Sequence, residues 1–115
     1  MADDSRSLGK WLQDARVAKR LTLTELAPRL RMDPAQLGDI ENERSSPSEK
    51  VLKEILAALG LDFEEGLARS GRISDSAREY LSRRPSAVIL INRMAARDLP
   101  DERVRALIHQ VEAAG

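Results

Sequence analysis

The stretch "LTLTELAPRLRMDPAQLGDIENER", Leu21 to Arg44, decides how this chain folds. Thr22 has the side chain of a helix N-cap, and Glu25 stands three residues on. That is the spacing of a capping box, in which each side chain takes the other's backbone N–H. Leu23, Leu26, Ala27 and Leu30 then fall on one helical face. A very short turn follows around Arg31 and Met32. Asp33 caps a further helix, Pro34 suits its first turn because the missing N–H has no intrahelical use there, and Leu37 and Ile40 point inward. Leu26, Leu30, Met32, Leu37 and Ile40 together have the spacing of a helix-turn-helix core, and Ala27 is small enough to let the two helices approach.

Helix punctuation continues in both directions. Upstream, Leu8, Trp11, Leu12, Ala15 and Ala18 share one face of a first helix. Downstream, Ser46, Pro47 and Glu49 form a start signal, Val51, Leu52, Ile55, Leu56 and Leu59 an apolar face, and Gly60 the stop. Asp62 and Glu65 open a short fifth helix that Gly71 ends. Farther on, helices are expected from Ser74, from Pro85 and from Leu99–Pro100–Asp101, the last with Val104, Leu107, Ile108 and Val111 on one stripe. The run "AVILI" at 87–91 is rich in β-branched residues that suit a strand. No second strand is available to pair with it, so it reads as helix. The expectation is an all-α chain: a five-helix unit over residues 1–71 and a small helical subdomain over 72–115.

Composition narrows the function. The 115 residues balance 19 Lys and Arg against 19 Asp and Glu, for a net charge of zero. Trp11, Phe63 and Tyr80 are the only aromatic residues, so the core must be aliphatic. The absence of cysteine excludes disulfides and thiolate–metal sites. His109 is the single histidine and lies in a late helix without a nucleophile constellation around it. Neither an enzyme nor a cofactor is therefore expected. The start, "MADDSRSLGKW", has no apolar run of the signal-peptide kind, and the longest apolar stretch, at 87–91, falls far short of the roughly 20 residues that span a bilayer. A cytoplasmic protein with no membrane partner is the expectation.

From Leu8 to Asp62 the sequence "LGKWLQDARVAKRLTLTELAPRLRMDPAQLGDIENERSSPSEKVLKEILAALGLD" resembles the Cro/C1-type (XRE) family of helix-turn-helix transcriptional regulators, most specifically in "LTLTELA", "LGDIENER" and "ILAALGLD". The resemblance implies a lambda-repressor-like five-helix domain that binds double-stranded DNA, as a repressor, with the helix at about 34–42 in the major groove. It implies that Ala35, Gln36 and Asp39 face base edges: Ala35 a thymine methyl, Gln36 an adenine, Asp39 a cytosine amino group. It implies that Thr22, Thr24, Asn42 and Arg44 hold phosphates, and that Arg16 and Glu41 form a structural ion pair between the first and third helices. Several residues depart from the family pattern. Leu23 stands where Gln is common, Arg31 and Glu43 where Gly is common, Pro28 falls inside the second helix, and Gly38 inside the third.

Regulators of this kind commonly act as dimers on two half-sites. In the helix from Pro85, Val88, Ile91 and Ala95 take one face while Ile89 and Leu90 lie on others. Ile89 and Leu90 are therefore the expected homodimer contacts. The stretch "LARSGRISDSAREYLSRRPSAV", Leu67 to Val88, placed after such a domain also resembles regulators found beside repressor-cleaving metalloproteases, which implies a regulatory protein or protease partner. A second reading stays open. Zero net charge, Pro34 and Asp39 also suit a protein-interaction module that kept the helix-turn-helix fold with weak or no DNA binding.

Overall fold

The computed structural model describes residues 6–114. Among them every regular element is helical. The elements are α1 (Leu8–Ala18), α2 (Leu23–Leu26), α3 (Pro34–Glu41), α4 (Glu49–Leu59), α5 (Phe63–Arg69), α6 (Asp75–Arg83), α7 (Pro85–Ala96) and α8 (Asp101–Ala113), with a 3₁₀ turn over Ala27–Leu30. The chain divides into two compact units, with the boundary between Ser74 and Asp75.

The first unit is built around aliphatic side chains. Leu12, Leu26, Leu37, Leu52, Ile55 and Leu56 are almost wholly enclosed, and Leu8, Trp11, Ala27, Leu30, Ile40, Leu59 and Leu67 complete the cluster. Local chemistry sets the helix starts. Ser7, Thr22, Ser48 and Asp62 each accept a backbone N–H three residues on with their side-chain oxygen, satisfying donors that a helix start leaves over. Trp11, at the core edge, carries the Arg69 guanidinium 4.8 Å from its ring. Arg69 also pairs with Glu65 and donates to the Arg6 carbonyl, so α5 is fastened across the start of α1.

The segment read as one second helix is in fact two pieces. The α-helix stops at Leu26, and Pro28 sits in the following 3₁₀ turn. Proline has no N–H to continue an α-helical ladder, whereas the tighter turn absorbs it. Arg31 then takes a left-handed backbone, φ 56° and ψ 41°, which lets its N–H reach the Pro28 carbonyl and the Met32 N–H reach that of Ala27. The first helix also differs in one place: Ala18 is exposed, and the inward position on that face is taken by Arg16.

Among the described residues of the second unit, α6 to α8, none is buried. Within it α6 packs against α7. "AVILI" is helical, in α7, but Val88, Ile89, Leu90 and Ile91 are all exposed. On the α8 stripe Ile108 and Val111 are likewise exposed. Helical periodicity gathers apolar residues onto a face, but it does not supply the surface that covers them.

Left-handed backbone is costly for a residue with a Cβ and cheap for glycine. Gly60, at φ 68°, ends α4 where a glycine is suited, whereas Arg31 holds the same region without that advantage. Arg31→Gly should therefore stabilise the first unit and Gly60→Ala should destabilise it, each by about 1 kcal/mol. Urea unfolding monitored by Trp11 fluorescence should show the two shifts with opposite sign.

Candidate nucleic-acid interface

Scaffold comes first, because a reading helix must be held still. Arg16 projects from α1 into the unit and meets Glu41 at the end of α3. Its Nε donates to one carboxylate oxygen at 2.8 Å and a terminal nitrogen donates to the other at 2.9 Å. The remaining terminal nitrogen donates to the Leu21 carbonyl at 2.7 Å. Both side chains are buried, at 10% and 3% exposure. Its hydrogen bonds to the Glu41 carboxylate hold the Arg16 guanidinium above its usual range. Three elements are thereby fastened at one point: α1, the entry to α2, and α3.

At the entry to α2, the Thr22 hydroxyl oxygen accepts from the Glu25 N–H at 3.1 Å, and Glu25 accepts from the Thr22 N–H at 3.0 Å. That backbone N–H, with the Thr22 side chain, holds the Glu25 carboxyl below the usual glutamate range. The helix start therefore already carries a carboxylate at its positive end. Thr22 and Thr24 are exposed there.

Along α3, Pro34 occupies the first position and Ala35 is exposed next to it. Gln36 is exposed, but its side-chain oxygen accepts from the Asp33 N–H at 3.0 Å. Its amide oxygen is thus committed to the helix start and its amide nitrogen is the end left to donate. Asp39 is partly buried, and its carbonyl takes the N–H groups of Arg44 at 2.8 Å and Ser45 at 3.3 Å. Gln36 and Asp39 line a cleft of about 290 Å³ between the turn at Arg31 and the α3–α4 loop. Asn42 ends α3 and is exposed, as is Arg44. Arg44 lines a neighbouring depression of about 340 Å³ beside Leu8, Arg69 and Ser70. Ile40, Ser45 and Pro47 are common to both hollows. The structure therefore brings Gln36 and Asp39 together and sets Arg44 beside the adjoining hollow. Ile89 and Leu90 belong to the second unit, each about half exposed, at 49% and 54%.

Two features were missed in the sequence. Gln36 stands three residues after Asp33, which is capping-box spacing as much as base-reading position. Gly9 inside α1 is the other: glycine weakens a helix interior, and here it marks a close approach, since a Cβ would land on the Glu41 carbonyl.

A helical core tied by a buried ion pair, with α3 presented beyond a tight left-handed turn, is a helix-turn-helix domain. The helix-turn-helix family model matches residues 12–66. The ImmF control region 10 kDa protein of Bacillus phage phi105 is 42% identical over 60 residues, covering 52% of this chain and 67% of that protein. The immunity repressor protein of the same phage is 27% identical over 77 residues, 67% of this chain and 54% of that one. Multiprotein-bridging factor 1 of Candida albicans is 38% identical over 55 residues, 48% of this chain and 36% of that one. The chain thus spans two thirds of the first of these relatives, about half of the second and about a third of the last. Among solved structures, the clp gene regulator ClgR from Corynebacterium glutamicum superposes with a TM-score of 0.51 at 28% identity, over 75% of this chain and 88% of that one. The chain belongs to the Cro/C1-type (XRE) helix-turn-helix family of DNA-binding transcriptional regulators.

Removing one member of a buried ion pair strands the other charge. Arg16→Ala is expected to lower stability by about 3–5 kcal/mol, whereas the double change Arg16→Met with Glu41→Leu should recover most of that loss. Chemical denaturation of the two variants checks it; equal losses would mean that the site is wetter than its burial indicates.

Proposed function

We propose that the chain is a sequence-specific DNA-binding repressor that sets α3 in the major groove as one half of a homodimer. The observation that carries this reading is the outer edge of the first unit. α3 is locked from behind by the Arg16–Glu41 pair, while Ala35, Gln36, Asn42 and Arg44 stay exposed along the helix and the loop that leaves it. Thr24, Asn42 and Arg44 take phosphates. Ala35 meets a thymine methyl, and Asp39 accepts from a cytosine amino group. Gln36 is assigned differently from the adenine contact of the family resemblance. With its oxygen engaged at Asp33, it presents a donor only, which suits guanine O6 and N7 better than adenine's paired acceptor and donor. That one close relative is an immunity repressor favours repression over activation.

The homodimer rests on the second unit. Among the described residues these helices bury none fully and hold Leu81, Met94, Val104 and Leu107 only half-buried, and units near 40 residues usually need oligomerisation or a cross-link. A second copy would cover Ile89 and Leu90, contributing on the order of 1 kcal/mol for each half-exposed side chain removed from water. It would also supply the second half-site reader. The engagement of Gln36 in its own helix cap favours the rival reading of a protein-interaction module, because it removes an acceptor from an already sparse reading set.

Mobility shifts against the DNA flanking the protein's own gene, at two salt concentrations, separate these readings. A phosphate-gripping interface loses affinity steeply with salt, and a protein-interaction module gives no specific complex. Arg44→Ala should weaken binding to all sequences and reduce the salt slope by about one, while Gln36→Ala should change preference at one base position, guanine first. For the second unit, Leu90→Glu and Ile89→Glu should each convert the sedimenting species to a monomer. Variants that sediment like the parent would remove the dimer from the proposal.

A further inference from the structure

We infer that Glu43 is a positioning residue: its carboxylate bonds the start of α1 and thereby holds the loop that carries Asn42 and Arg44. The inference rests on the DNA-binding reading above. Glu43 follows the end of α3 and has a left-handed backbone, φ 61°, where glycine would be at ease. Its side chain reaches back to α1, and one carboxylate oxygen accepts the Gly9 N–H at 2.5 Å. That N–H lies in the first turn of α1, where no carbonyl of the helix itself can receive it. The first turn of α1 has no acidic residue of its own, so the negative charge that suits a helix start is brought in from residue 43.

Space as well as charge is arranged for this contact. Gly9 is buried, and any Cβ there would meet the Glu41 carbonyl and crowd the Glu43 carboxylate. α1 therefore lies directly on the backbone at the end of α3. The buried ion pair fastens one side chain of this junction, and the Glu43 bond fastens the residue after Asn42. On the far side of the same bend, the N–H groups of Arg44 and Ser45 are held by the Asp39 carbonyl. The loop is thus pinned on both sides of Arg44. A carboxylate next to phosphate-gripping residues would ordinarily repel DNA; bound to α1, it serves to orient them.

Glu43→Gln, Glu43→Ala and Glu43→Gly separate the possibilities, each measured in the full chain. Glu43→Gln keeps an acceptor oxygen, so exchange of the Gly9 amide, followed by NMR without DNA, should stay slow and DNA affinity should stay within about twofold of the parent. Glu43→Ala should speed Gly9 exchange and weaken DNA binding by about tenfold, the scale of one lost charge-assisted hydrogen bond. Glu43→Gly relieves the left-handed backbone and should therefore unfold later than Glu43→Ala, yet bind DNA as weakly. In an Arg44→Ala background the Glu43→Ala change should add clearly less than it costs alone, since one of the two residues being positioned is gone. DNA binding by Glu43→Ala as tight as the parent's, or tighter, would show Glu43 to be a repelling charge and overturn the inference. So would unchanged Gly9 exchange in Glu43→Ala, or a full further loss in the Arg44→Ala background. A parent chain that binds no DNA at all sinks the function proposed above and the phosphate role with it; Gly9 exchange then still decides whether the bond to α1 exists.

Discussion

The bond between Arg16 and Glu41 governs the first unit. A small core of leucine and isoleucine has few ways to fix helix angles, because aliphatic side chains tolerate sliding. A planar guanidinium against a carboxylate does not: two parallel hydrogen bonds define both distance and orientation. The third donor, to the Leu21 carbonyl, places the start of α2 as well. Burial makes the arrangement exacting, since a charge taken from water must keep its partners. Among the described residues no buried side-chain polar atom lacks one.

That constraint explains how so acidic a segment suits a helix-turn-helix domain. Between Met32 and Arg44 there are four carboxylates. Glu41 points into the protein, Asp33 stands at the helix start where negative charge is favoured, and Glu43 is turned onto α1. Of the four, Asp39 alone lines the cleft beside Gln36. A zero net charge therefore says little about the local field. Of these acids Glu41 and Glu43 are engaged in bonds to α1, while Arg44 is exposed.

Much of the fold was legible because helix ends carry their own chemistry. Thr22 with Glu25, and Asp62, act at the boundaries where their side chains imply, and Arg31 holds the left-handed turn for which glycine is the common choice; the start signal of Ser46, Pro47 and Glu49 marked α4 as well, but its cap is Ser48. The break at Ala27 was less legible, since Pro28 could have been carried inside a continuous helix and the choice of a 3₁₀ turn depends on where Arg31 must lead the chain. At the interface, position could be read and partner could not. Gln36 lies where a base reader would lie, yet a neighbouring N–H competes for its oxygen. Gly9 and Glu43 are 34 residues apart, and only the folded junction shows why each needs the other.

The two units solve different problems with the same kind of helix. α4 of the first and α7 of the second are similar in length, at 11 and 12 residues, and both are rich in aliphatic side chains. α4 gathers them on one stripe and buries Leu52, Ile55, Leu56 and Leu59 against its own unit. α7 spreads Val88, Ile89, Leu90 and Ile91 around successive directions, so no single neighbouring helix can cover them all. A sequence that places four consecutive aliphatic residues in a helix commits that helix to being surrounded. The homodimer proposed above would bring that cover from a second copy, the one partner present at matching concentration. A symmetric pairing through α7 would join two reading heads through the element least able to stand alone, linking the stability of the second unit to the spacing at which the first can read DNA.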